Sequence, residues 1–456
     1  MKILLVRPKP SPETIGLQHL MVVEPLELEV LGALKRDSDT AIIVDMILEK
    51  KPFEHFLAKH SPDVLCITGY ITNVNTMKEY CAIAKKMFPK ISCIVGGVHC
   101  EVCPEDFDCE QIDFRVVRNA ASVFTALLNH IENNTQLPPG VFIRGNTLEN
   151  TSLPPLDFYA PLADRSLVKR YRKHYFYIFS QRVALIKASY GCPYQCSFCF
   201  CRAITRDTYH RRPLEEIIEE LETIPEKEIY IVDDDFLFDA RCLQRFIDEV
   251  KRRNIHKNFL VYGRADFIAA HPDTIRQLAE IGLKTVIVGF ESFSDKELNQ
   301  YNKKTSATLY QQTMKVLRQY KVDVFATIII PPEWDKNDFR HMVKTVKSLG
   351  IHFVNLQPLT PLPKTGVSYP PEDILLDKQK FEQWDMAHVA IRPLKLSVAD
   401  FYRQILKAYY SILYQPSTLW KHLTSYPPKM LWKMLLGGYR VSKQYKQKIK
   451  QAEHYA

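Results

Sequence analysis

The sequence predicts two α/β units in tandem, a doubly wound parallel sheet and then a partial barrel of six strand–helix units, followed by a helical extension. Three observations carry that prediction. The chain has 456 residues, more than one ordinary core organises. Short runs of Ile, Val and Leu alternate with amphipathic helical patterns in two separate stretches. Between those stretches the alternation gives way to a proline-rich passage.

Residues 1–135 make the first unit. "KILLV", "AIIVDM", "DVLCITGY", "SCIVGG" and "FRVV" read as strands with little polar alternation, as in a parallel sheet covered on both faces. "PLELEVLGALKRD" and "NVNTMKEYCAIAKKMF" space their apolar residues by three and four and read as helices. Sheets of this kind bind ligands beyond the carboxyl ends of their strands. That rule singles out Thr68, Gly69, Tyr70, Thr72 and Asn73 after the third strand, and Gly96, Gly97 and His99 after the fourth. Gly96-Gly97 reads equally well as a tight turn.

Residues 136–182, with "QLPPG", "SLPPLDFYAPLADRS" and the basic aromatic "VKRYRKHYFYIF", read as an extended connector that wraps the surface. Residues 183–392 resume the alternation with the strands "ALIKASYG", "EIYIVDDDF", "FLVYGRADF", "TVIVGFES", "DVFATIIIPPE" and "FVNLQPLTPLP". Six consecutive units predict a partial barrel whose site lies at the carboxyl ends of its strands. Polar clusters fall there: cysteines after strand one, Asp233 to Asp235 at strand two, Arg264 at strand three, Glu291 at strand four and Gln357 on strand six.

Residues 393–456 read as helices rich in Tyr, Trp and Lys, broken at Pro416, Pro427-Pro428 and Gly437-Gly438. The net charge of +9 is concentrated here: residues 401–456 hold ten Lys or Arg against Glu453 alone, so the remainder sums to zero. That distribution excludes a protein that coats nucleic acid over its whole surface. "PKMLWKMLLGGYRVSKQYKQKIK" reads either as a cover for the barrel with a solvated basic end or as a contact with an anionic membrane surface or lipid. No apolar run approaches the roughly 20 residues that span a bilayer. The apolar run in "MKILLVRP" is too short for a signal peptide, so a cytoplasmic protein is expected. Its eleven unevenly spaced cysteines then read as reduced thiols.

Four of those cysteines fall in "CPYQCSFCFCR". Cys192, Cys196 and Cys199 form C-x3-C-x2-C, which lets three thiolates converge on one cofactor. Structural zinc sites usually draw ligands as two separated pairs, and no second pair or histidine knuckle accompanies these. Three thiolates on a four-iron cluster leave one iron open to a substrate or cosubstrate.

At this point the chain resembles the radical S-adenosylmethionine (SAM) superfamily, whose signature is C-x3-C-x-aromatic-C after the first barrel strand, here with Phe198 as the aromatic. The resemblance implies a 4Fe-4S cluster on Cys192, Cys196 and Cys199, with SAM held by the open iron and cleaved to a 5'-deoxyadenosyl radical. It implies that Asp233 or Asp235 accepts from the SAM ammonium, that Arg264 clamps its carboxylate, and that Glu291 contacts the ribose, with Gln357 a further contact. On strand five "ATIIIPPE" departs from the usual G-x-I-x-G-x-x-E, with Ala326 and Ile330 replacing the glycines.

A doubly wound, flavodoxin-like domain ahead of such a barrel, with "GGVH" after its fourth strand, resembles the cobalamin-binding radical SAM enzymes. Thr68, Gly69, Thr72, Asn73, Gly96, Gly97 and His99 would then face cobalamin. D-x-H-x-x-G is absent, so His99 is expected beside the corrin or its tail, not on cobalt. Segments such as "YHRRP" and "VGFESFSDKELNQYNKKT" are similar to hopanoid C-3 methylases, implying methyl transfer to an unactivated carbon of an apolar lipid or isoprenoid. The expected partners are that substrate, an electron donor of flavodoxin or ferredoxin type and, through the basic tail, a membrane surface; no nucleic acid is expected. A non-methylating cyclase or rearrangement enzyme of tetrapyrrole or lipid metabolism shares the same motifs. Cys201 is expected to be a neighbour of the cluster, not a ligand.

Overall fold

The computed structural model describes residues 1–454. Strands β1 (Lys2–Arg7), β2 (Thr40–Asp45), β3 (Val64–Thr68), β4 (Ser92–Gly96), β5 (Phe114–Val116) and β6 (Val141–Phe142) form one sheet in the order β2-β1-β3-β4-β5-β6. Only β6 runs antiparallel to its neighbour. Leu4, Leu5 and Val6 of β1 are fully buried, which explains the absence of alternation in its sequence. Helices α1 (Leu26–Ala33) and α5 (Ala120–Asn133) cover one face, and α2 (Phe53–His60) and α3 (Val74–Met87) the other. The short helix α4 (Val98–Val102) follows β4 directly. Strand order reverses between β1 and β3, so the ligand crevice of this doubly wound sheet opens beyond their carboxyl ends, at Thr68 to Tyr70.

The connector is more than a wrap. It contributes β6 to the first sheet, and its Phe176–Tyr177 pairs with Met21–Val22 and with Ser180–Gln181 in a small sheet of its own. Arg165 bonds Glu24 of the first unit at 3.0 Å and Glu220 of the barrel at 2.6 Å, and Arg172 bonds Glu24 at 3.0 Å. These carboxylates are almost completely buried, so the two arginines neutralise charges that would otherwise be stranded between the units.

The second sheet holds β7 (Val183–Ile186), β8 (Glu228–Ile231), β9 (Asn258–Gly263), β10 (Leu283–Glu291), β11 (Asp323–Ile330) and β12 (Phe353–Pro358), all parallel and in chain order. The predicted partial barrel is therefore observed. Val183, Leu185, Tyr230, Leu260 and Ile287 point into its lumen, while Ala184, Ile186, Ile229, Ile231 and Val286 pack outward against the helices. Helix α6 (Cys201–Thr205) ends the cysteine loop; α7 (Leu214–Thr223) and α8 (Ala240–Arg252) begin the outer ring, α8 capped by Asp239 accepting from Arg241 N and Cys242 N.

Helix α9 (Val398–Leu413) buries Phe401, Tyr402 and Ile405 against the barrel core. Helices α10 (Pro416–Ser425) and α11 (Pro428–His454) begin at the expected prolines. The expected break at Gly437-Gly438 is not there, and α11 runs through it. Gly437 is needed for a close approach instead, because a Cβ at that position would lie 2.4 Å from His19 O. Through this approach α11 spans the molecule, with Met434 in the first core and Tyr445 and Ile449 in the barrel core. Among the described residues, no helix is long and apolar enough to cross a membrane.

Candidate active site

The cysteine loop leaves β7 through a turn that Asp233 holds. Its Oδ1 accepts from Ala188 N (2.7 Å) and Ser189 N (2.9 Å), and Oδ2 accepts from Ser189 Oγ (2.6 Å). Ser189–Tyr190 then pairs with His210–Arg211, which closes the loop at its base. Its tip is fixed from outside: Ser197 N donates to Tyr301 O (3.0 Å), Gly366 N to Ser197 O (2.7 Å), and Asn302 Nδ2 to Gln195 O (2.7 Å). Phe198 lies edge-on to Tyr301, ring centroids 5.6 Å apart. Cys192, Cys196 and Cys199 thus sit on a loop that three contacts immobilise.

The thiols respond to this setting differently. Burial pushes Cys192 up to about 12 and raises Cys196 as well. Cys199 goes down, chiefly through the hydrogen bond from Cys201, and that bond together with burial holds Cys201 well above the usual thiol range. Cys201 Sγ is also 3.2 Å from Asp234 Oδ1. Among the described residues, His99, Cys103 and Asp106 are the only set whose ligand atoms all lie within 4.8 Å of one another. Three thiolates on one short loop can each take a different iron of one cluster.

The acidic run after β8 divides its labour in a way its composition does not reveal. Asp233, expected as a SAM contact, has both oxygens committed to the 188–189 turn and serves as a support. Asp235 is 2 % exposed, and neither of its oxygens has a hydrogen-bond partner. Burial pushes its carboxyl up to about 8, although Arg264 and Lys303 act in the opposite direction. An acceptor left empty beside the cysteine loop fits an ammonium ligand. Arg264, expected as a carboxylate clamp, spends its fork on Asp266 (Nη2–Oδ2, 2.7 Å) and on Lys303 O (2.6 Å). It also stacks over Tyr194 at 3.8 Å and so braces the cysteine loop.

Glu291 sits at the end of β10 with φ +61°, a left-handed conformation unusual for Glu, after a bulge that turns the side chain inward. Its Oε1 bonds Lys303 Nζ at 2.9 Å, and both side chains are buried. A Cβ at Gly289 would fall 2.3 Å from that carboxylate oxygen, so the pair requires this glycine. Gln357 shares the lumen-facing parity of Phe353 on β12 and is half-buried. Sequence reasoning missed Lys303 and Tyr194, and it gave Asp234 no role of its own within the acidic run. Asp234 was recoverable, because Tyr230, Val232 and Asp234 alternate onto the lumen side. Lys303 carried no local signal.

Across the cleft, Thr68, Gly69, Gly96 and Gly97 stand at the carboxyl ends of β3 and β4, where the crevice opens. Gly97 has φ +95°, and a Cβ there would lie 2.5 Å from Thr68 Oγ1 and 3.0 Å from Gly69 N, so Thr68, Gly69 and Gly97 form one tight cradle. Gly96 has no such neighbour within 3.7 Å. Thr72 and Asn73 lie in a 3-10 turn, where Asn73 Oδ1 accepts from Tyr70 N (3.2 Å). His99 is a helical residue, not a loop residue: it is 4 % exposed, and its Nε2 is 2.7 Å from Asp106 Oδ2.

Where the two units meet, half-buried Val23 and Leu26 of the first unit pack with Val232, Tyr262 and Phe325 of the barrel on the lumen core. Tyr70, after β3, is exposed. A cavity of about 470 Å³ is lined by Glu101, Arg118, Cys199, Arg202, Arg206, Asp207 and Lys364.

A flavodoxin-like sheet whose crevice faces a barrel mouth carrying three convergent thiols defines a cobalamin-type radical SAM architecture. The family models agree: residues 14–128 match the B12 binding domain and residues 186–346 the radical SAM superfamily. The chain is a radical SAM enzyme that carries a B12-binding domain, and the cofactors of these domains are a 4Fe-4S cluster, SAM and cobalamin. It is 25% identical over 435 residues to the hopanoid C-3 methylase of Methylococcus capsulatus, covering 92% of this chain and 81% of that protein. It is 24% identical to the bacteriochlorophyllide d C-8(2)-methyltransferase of Chlorobaculum tepidum, covering 74% and 75%. In fold it matches the radical SAM methyltransferase TsrM of Kitasatospora setae with a TM-score of 0.65 at 14% identity, covering 100% of this chain and 99% of that one.

Proposed function

We propose that this enzyme methylates an unactivated carbon of an apolar, lipid or isoprenoid substrate. The observation that carries this reading is the apolar packing where the units meet, Val23 and Leu26 of the first unit against Val232, Tyr262 and Phe325 of the barrel. The cluster with SAM supplies one-electron chemistry that removes a hydrogen atom from carbon, and cobalamin supplies the methyl group. Everything else is the work of the chain. Cys192, Cys196 and Cys199 would hold the cluster. Asp235 would accept from the SAM ammonium, and Thr68, Gly69 and Gly97 would let the corrin or its tail approach the backbone closely. Val23, Leu26, Val232 and Phe325 exclude water and favour an apolar substrate over a charged one. Arg118, Arg202, Arg206 and Lys364, around the cavity that reaches Cys199, offer an acidic electron donor a cationic approach to the cluster.

The test is product stoichiometry with reconstituted protein, both cofactors, a reductant and a lipid extract from the host. Methyl transfer yields S-adenosylhomocysteine and 5'-deoxyadenosine together, with a new methylated lipid. Deoxyadenosine without S-adenosylhomocysteine would instead indicate a non-methylating radical enzyme.

A further inference from the structure

The α10–α11 hairpin presents apolar side chains that none of the described residues cover. On α10, Leu419, Trp420 and Leu423 are 40, 71 and 71 % exposed. On α11, Trp432, Leu435, Leu436 and Tyr439 are 71, 55, 41 and 66 % exposed, spaced i, i+3, i+4, i+7 along one stripe. The opposite side of α11 is committed to the protein, with Met430 buried, Met434 in the first core and Gly437 against His19. A contiguous stripe of this kind is uncommon on an isolated soluble surface. The surrounding charge has one sign: no Asp or Glu occurs between Asp400 and Glu453, whereas Lys429 and Arg440 are exposed beside the stripe and Lys443 and Lys446 follow it.

We propose that this hairpin docks the enzyme on an anionic lipid bilayer, with Trp420, Trp432 and Tyr439 at headgroup depth, Leu423, Leu435 and Leu436 below them, and Lys429 and Arg440 on the lipid phosphates. Indole and phenol rings suit the interface between water and hydrocarbon, and flanking cations add attraction to anionic lipid. The surplus of Lys distinguishes this patch from a protein interface, whose core excludes Lys. The basic second half of α11 packs on the barrel through Tyr445 and Ile449 and leaves Lys443, Lys446 and Lys450 exposed. The inference stands on the hairpin alone; the apolar-substrate reading gives it a purpose but no support.

The experiment is sedimentation of the full chain with phosphatidylcholine vesicles, with and without phosphatidylglycerol, alongside tryptophan emission. Two of the four tryptophans, Trp334 and Trp384, are 6 and 9 % exposed and stay silent, so any blue shift reports Trp420 and Trp432. The proposal expects binding and a blue shift that strengthen with phosphatidylglycerol and weaken with salt. Trp432→Ser with Leu436→Ser should lower vesicle affinity roughly tenfold or more, while dithionite-driven 5'-deoxyadenosine formation in detergent stays unchanged. Failure to bind either vesicle overturns it, as does binding that the double substitution leaves intact. So does a concentration-dependent dimer that Trp432→Ser abolishes, which would assign the stripe to a second copy of the chain. None of these outcomes bears on methyl transfer, which the product ratio reads separately.

Discussion

Asp235 shows what a single side chain contributes. With no side-chain hydrogen-bond partner among the described residues, its carboxyl is pushed by burial from 3.8 up to about 8. A group raised in this way stabilises the folded state below its unfolded pKa and loses that contribution as pH rises through its folded value. The thermal midpoint of the cofactor-free protein should therefore fall as pH rises between about 4 and 8, and Asp235→Asn should flatten that dependence in a calorimetric pH series. Lys303 and Glu291 are a second case. Lys303→Met leaves Glu291 buried without its cation and should cost about 3–5 kcal/mol in chemical denaturation, and adding Glu291→Leu should restore most of it. Of these residues, Asp235 and Glu291 were legible as acids at strand ends. Lys303 was not, because only the path of the chain brings residue 303 back beneath the cysteine loop.

At the scale of elements, the cysteine loop is defined by its supports. Asp233 holds its entry, Tyr301, Asn302 and Gly366 hold its tip, and Arg264 braces it through Tyr194. The C-x3-C-x2-C spacing marks the proposed ligands, since local spacing survives in sequence. The supports come from residues 233, 264, 301–302 and 366, and no local pattern marks them. Cys201 is separated from the ligands by this same geometry, starting α6 between Cys199 and Asp234. Cys201→Ala should keep iron content and SAM cleavage, whereas Cys192→Ala should remove both; iron analysis and deoxyadenosine assays distinguish the outcomes. The strands were read from their apolar runs, and the alternate inward and outward packing on β7 to β10 explains why the barrel strands look uniformly apolar: both faces are buried. α11 was misread at Gly437-Gly438 because a glycine pair signals a break unless a neighbouring backbone demands it, and His19 does.

For the molecule as a whole, the order of the two units and the carboxyl strand ends expected to carry each unit's site followed from the strand pattern alone. Their junction did not: Glu24, Arg165, Arg172 and Glu220 come from three separate segments whose charges looked like ordinary surface residues. Burying that network commits the two units to one relative arrangement. α11 adds a second restraint, anchored in the first core by Met434 and in the second by Tyr445. Two such ties on one cleft predict that a corrin, once bound, leaves slowly: its release, followed by visible absorbance, should quicken when Tyr445→Ser loosens α11 from the barrel.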